Sequence, residues 1–177
     1  MNELALKICR QYIDGLVQAF EAGADMRAKF KSASVRGFTT DVNGTLDLPY
    51  GGRDGKRLLD MFLADFKEAG GAVWVNSGLP DQSLSGFALP QAFQNVGESF
   101  AIEPKPLQDW KQAPVIFIDD EDLVREVTEM RGGVAIDPMD EDFEEFLENW
   151  HDLKAANDEQ AWTQQRDELL APLIANA

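Results

Sequence analysis

Leu4, Ile8, Tyr12, Leu16 and Phe20 recur at steps of four, which places them on one face of an amphipathic helix and predicts helix over residues 3–31. A short strand is expected over 35–40. The stripe Leu58, Met61, Phe62, Ala64 and Phe66 predicts a second helix, stopped by Gly70 and Gly71. "AVWVNSG", "PVIFIDD" and "GVAIDP" are compact apolar runs and read as buried strands. Between them, "DQSLSGFALPQAF" reads as a short helix that Asp81 caps and Pro90 ends, and "ESFAIEPKP" as a weaker strand. "EDLVREVTEMRGG" is a helix with a glycine stop. In "MDEDFEEFLENWHDL", Phe143, Phe146, Leu147 and Trp150 share a helical face, and the acidic residues read as the solvated side. A last helix over 157–174 carries Trp162, Leu169 and Leu173.

Strands alternating with helices predict an α/β sandwich with a mainly parallel sheet. The expected organisation is an N-terminal helix over 1–34, an α/β core over 35–150 and a C-terminal helical extension over 151–177.

Charge narrows the functional classes. The 177 residues include 32 acidic and 16 basic ones, a formal net charge of -16. Nucleic acids and anionic membranes attract clustered Lys and Arg, so strong nucleic-acid or membrane binding is not expected, whereas cationic partners and divalent metals suit the balance. The single cysteine, Cys9, excludes an internal disulfide and fits a reducing compartment. The N-terminal stretch mixes Glu3, Lys7, Arg10 and Asp14 with its apolar residues, so it does not read as a signal peptide or a membrane span. The expected location is cytoplasmic.

The polar residues at the predicted strand ends make a chemical set. Asp41 follows the first strand, Ser77 the second, Lys105 the weaker third, and Asp119 with Asp120 follows "PVIFI". All would project from the carboxyl edge of a parallel sheet, where α/β proteins gather ligands. A carboxylate can attack phosphorus to form an aspartyl-phosphate. Moving a dianionic phosphoryl group requires positive charge, which Lys105 and a Mg²⁺ held by Asp41 and Asp120 would supply. Ser77 and backbone N–H groups near Gly44 and Gly78 would hold the phosphoryl oxygens.

These residues resemble the motifs of the haloacid dehalogenase superfamily of aspartate-nucleophile phosphatases and phosphotransferases. The family's Asp-x-Asp-Gly-Thr-Leu/Val reads here Asp41-Val42-Asn43-Gly44-Thr45-Leu46. Its Ser/Thr motif is matched by Ser77 in "VNSG", its lysine by Lys105 or Lys111, and its acidic pair by Asp119-Asp120. The resemblance covers roughly residues 35–140. It implies a three-layer α/β/α sandwich with a Rossmann-like sheet and no large cap domain. It further implies a Mg²⁺-dependent phosphohydrolase or phosphotransferase, with Asp41, Asn43, Ser77 and Lys105 at the catalytic positions. Gly44, Thr45, Ser77, Gly78 and Lys105 would bind phosphate, and Asp41, Asn43, Asp119 and Asp120 would lie at the metal. A phosphorylated small molecule or macromolecule would be the ligand, with a homo-oligomer as one way to cover an uncapped site.

Asn43 departs from that pattern. It stands at the proton-transfer position, and an amide cannot exchange a proton as a carboxylate does. Losing such a group costs roughly 10²–10⁴-fold in rate. Three readings therefore stay open: a slow or specialised phosphoryl-transfer enzyme, a binder of a phosphorylated ligand or partner protein that does little chemistry, and a structural or interaction module. Deamidation of the Asn43-Gly44 pair would restore the acidic motif. "YGGRDGKR" lacks the spacing of a P-loop, Cys9 lacks the Cys-x₅-Arg spacing, and a single histidine, His151, speaks against a histidine metal centre or a Ser-His-Asp triad.

Overall fold

The computed structural model describes residues 2–29, 37–40, 58–75, 116–130 and 132–174. In chain order these form α1 (Glu3–Ala22), α2 (Ala24–Lys29), β1 (Gly37–Thr40), α3 (Leu58–Glu68), β2 (Ala72–Val75), β3 (Ile116–Ile118), α4 (Asp122–Met130), β4 (Val134–Ile136), α5 (Glu141–Ala156) and α6 (Glu159–Ile174). The strands pair in parallel in the order β2-β1-β3-β4. Phe38 lies beside Val73 on one side and Ile116 on the other, and Ile116 beside Val134.

Most of the burial is helix on helix. α1 packs along α5 and α6, and α3 along α5. The buried stripe of α1 is Ala5, Cys9, Ile13, Leu16 and Phe20. The series Leu4-Ile8-Tyr12 lies one position round, and Leu4 is 69% exposed. A period of four fits two neighbouring stripes on one helix, so only the partner helices decide which one faces inward. The long helix expected over 3–31 breaks at Gly23, between α1 and α2.

An aromatic chain ties the elements together. Tyr12 of α1 stacks on Phe146 of α5 at 4.5 Å between ring centroids, and Phe146 meets Phe62 of α3 edge-on at 5.1 Å. Phe62 in turn meets Trp150 at 5.1 Å, and Trp150 meets Trp162 of α6 at 5.1 Å. Phe38 of β1 sets its edge against Phe66 at 4.8 Å, joining the sheet to the same cluster. Edge-on and offset pairs of this kind add to the gain from burial because ring edges and faces carry opposite partial charge.

Polar pins set the helix registers. The buried Asp65 carboxylate of α3 accepts Trp150 Nε1 at 3.0 Å and pairs with Lys154 Nζ at 2.7 Å, both from α5. Arg166 of α6 is buried and reaches Glu68 at 3.1 Å. Two helices end in left-handed glycines, as the sequence predicts. Gly70 has φ +99° and the Gly71 N–H donates to the Phe66 carbonyl at 2.9 Å; Gly132 has φ +83° and the Gly133 N–H donates to the Thr128 carbonyl at 2.9 Å.

The expected three-layer sandwich with a Rossmann-like sheet is corrected by this structure. The described strands span three or four residues each, whereas α1, α5 and α6 run for 20, 16 and 16 residues. What is described is a mainly helical assembly around a small open sheet. The alternation of periods along the chain is a local signal. It predicts which segments are strands and helices, but not how far a ladder extends or whether a helix buries its face on the sheet or on another helix. Here the helices provide aromatic faces large enough to bury one another.

Candidate functional site

The strand-end set is described only in part. Asp41, Asn43, Gly44, Thr45, Ser77, Gly78, Lys105 and the alternative Lys111 lie outside the described residues, as do the segments read as the Asp81 helix and the "ESFAIEPKP" strand. Of the nominated residues, Asp119 and Asp120 are described. Asp119 follows β3 directly and is 1% exposed. Its Oδ1 accepts the Glu121 N–H at 2.9 Å, at the head of α4, and its carbonyl accepts Arg125 Nη1 at 2.9 Å. Arg125 also pairs with Asp122 and lies 3.5 Å from Asp137 at the end of β4. The carboxylate thus serves the turn from β3 into α4. Asp120 is exposed.

The phosphatase expectation is corrected accordingly. Among the described residues no group of three or more His, Cys, Asp and Glu is arranged to hold a metal ion. With a short open sheet described in place of the Rossmann-like one, the described residues provide no structural basis for the aspartyl-phosphate mechanism, for a haloacid dehalogenase-like hydrolase or for metal binding.

A different site emerges between α1 and the junction of β4 with α5. A groove of about 430 Å³ is lined there by Ile8, Gln11, Tyr12, Gly15 and Leu16 from α1. Ala135, Ile136 and Asp137 form the strand side, and Asp140, Asp142 and Glu145 the head of α5. The floor is apolar and aromatic; the rim carries four carboxylates, and the described lining contains no Lys, Arg or His. Two of the acids also hold the backbone. Asp140 is the N-cap of α5 and accepts the Asp142 N–H at 2.8 Å, and Asp137 accepts the Met139 N–H at 2.9 Å. Their charge faces the same space. Burial first, then Asp140 and Asp142, push the Tyr12 phenol well above its ordinary range, so the ring stays protonated and neutral.

Two other polar features are accounted for without a ligand of any size. Cys9 is fully buried, its Sγ 3.9 Å from the Phe146 carbonyl, and burial raises its thiol to about 12, so it is a packed and unreactive group. His151 buries an Nδ1 without a partner among the described residues, beside a cavity of about 30 Å³ lined by Leu58, Glu148 and Asp152, a space suited to one water.

The groove was not visible in sequence. Its acids were read as the solvated face of a helix, and Ile8 and Tyr12 as part of a buried stripe. The one local hint is "IDPMDEDF", which holds Asp137, Asp140 and Asp142 where a strand end and a helix start place carboxylates together. No helix among the described residues is long and apolar enough to cross a membrane. No protein-family model matches the chain, and no curated protein or solved structure matches it either.

Proposed function

We propose that the protein is a binding module that captures a cationic segment of a partner protein in the groove between α1 and the β4–α5 junction. The observation that carries this reading is the groove's lining: four carboxylates around an apolar floor, with no Lys, Arg or His in the described lining and Arg125, outside it, 3.5 Å from Asp137. The net charge of -16 gives the same sign to the long-range field, which speeds encounter with a positive partner and disfavours a phosphorylated one at this place. Lys and Arg suit both parts, since their apolar stems lie along a hydrophobic floor while their heads reach an acidic rim.

The test is binding of a fluorescently labelled arginine-rich peptide, measured by anisotropy at several salt concentrations, against a glutamate-rich peptide of equal length. The arginine-rich peptide is expected to bind, and to weaken as salt rises. The double substitution Asp142→Asn with Glu145→Gln removes two rim charges without touching a described backbone contact of either side chain. It should weaken binding by about tenfold, from about 0.7 kcal/mol per exposed charge. Equal binding of the two peptides, or no effect of the double substitution, would overturn the reading.

A further inference from the structure

The acidic groove runs along the edge of a sheet. Among the described strands β4 is outermost, paired with β3 alone. The Ile136 carbonyl accepts the Asp119 N–H at 3.1 Å, so the backbone groups of Ile136 turn toward β3. Successive residues of a strand direct their backbone groups to opposite sides. The N–H and C=O of Ala135 therefore face away from β3, on the outer edge. Ala135 is only half-buried and lines the groove.

The facing wall leaves room for a visitor. Gly15 sits in the interior of α1 and lines the same groove, and a Cβ added there would meet nothing within 4 Å. A helix-interior glycine costs stability relative to alanine, and no close packing around this one requires it. Its missing side chain leaves space in the α1 wall of the groove that Ala135 also lines, on the edge of β4 that no described strand pairs.

We infer that the partner's cationic segment binds as an added β-strand on β4. This rests on the acidic-groove reading and specifies its geometry. The segment's backbone exchanges two hydrogen bonds with Ala135, donating to its carbonyl and accepting from its N–H. Residues two apart on the added strand share a face, so Lys or Arg at alternate positions would meet Asp137, Asp140, Asp142 and Glu145. The intervening side chains would lie toward Ile8, Tyr12 and Leu16. Main-chain pairing provides affinity and the alternating pockets provide selection, as in other strand-addition complexes. A second copy of this chain is a poor occupant, because two chains of charge -16 repel one another.

The experiment uses the full chain and three labelled hexapeptides of alternating arginine and valine, blocked at both ends. One is unmodified. The other two carry N-methyl groups on alternate amides, in the two possible phases. Strand addition predicts that the unmodified peptide binds and slows hydrogen exchange at the Ala135 amide. One methylated phase should bind about tenfold more weakly or worse, having lost the donor to Ala135. The variant Gly15→Leu should abolish binding by filling the groove, with an unchanged circular dichroism spectrum and no loss of thermal stability. If both methylated peptides bind as well as the parent and Ala135 gains no protection, strand addition is overturned while the acidic-groove reading stands. If none of the three binds, both fail.

Discussion

α1 has two flanks with opposite chemistry. On one, Cys9 and Ile13 are buried against α5 and α6 and almost no side-chain surface reaches water. On the other, Ile8, Tyr12 and Gly15 border an acidic groove beside β4. Tyr12 belongs to both, its ring stacked on Phe146 and its phenol subject to the charge of Asp140 and Asp142. The first flank is filled by aromatic contacts and has little freedom to change. The second keeps space, negative charge and a helix-breaking residue without a packing reason. The packed residues and the groove residues Ile8 and Tyr12 are separated on this one helix by about a quarter turn.

The largest effect should come from breaking the packed flank. Phe146 is fully buried and touches Tyr12, Phe62 and Trp150. Phe146→Ala is expected to lower unfolding free energy by about 3–5 kcal/mol in urea titration. A loss below about 1 kcal/mol would mean that the aromatic chain does not hold α1 to α5.

The next effect lies in pH. Burial raises the Cys9 thiol from 9.0 to about 12. A group raised in the folded state contributes full stability below its unfolded value, and that contribution disappears as pH rises through the folded value. Stability should therefore decline between pH 9.0 and about 12, by about 1.4 kcal/mol per pH unit from this thiol. Tyr12, raised in the same direction, steepens the upper part of that limb. Cys9→Ala should flatten the decline by the thiol's share, measured as the slope of unfolding free energy against pH. An unchanged slope would show the thiol to be reached by water.

On the groove flank the sign reverses. Gly15→Ala places a methyl group in open space, and is expected to raise stability by about 0.5–1 kcal/mol through helix propensity alone. A loss on thermal unfolding would show that the position is packed, and the contrast between the flanks would collapse.

Much of the local structure was legible. Phe143, Phe146, Leu147 and Trp150 were correctly placed on one buried face, as were Trp162, Leu169 and Leu173, because 3.6-residue periodicity needs only one turn of context. The glycine stops at Gly70 and Gly132 were legible for a similar reason: a left-handed residue ends a helix wherever it occurs. Leu16 and Phe20 of the expected α1 stripe are buried, but its first half is displaced by one position, to Ala5, Cys9 and Ile13, since Leu4 and Ala5 both begin apolar series and only α5 and α6 select between them. The sandwich was misread because element order does not encode ladder length. The strand-end set was read as a catalytic constellation from spacing and resemblance. Of that set the described residues contain Asp119, turned to the head of α4, and exposed Asp120. The acidic groove was hidden because its walls come from segments more than a hundred residues apart, Ile8–Leu16 and Ala135–Glu145.

The sequence by itself determined which described segments are helical, the stops at Gly70 and Gly132, the apolar character of the strands and the negative sign of the whole molecule, because each depends on neighbours a few residues away or on composition. The tertiary structure alone decided which face of α1 is buried, that Asp65 meets Trp150 and Lys154, and that four carboxylates gather beside β4, outermost among the described strands. Those are outcomes of packing between distant segments, where the size and shape of aromatic faces determine which surfaces meet and which remain in water.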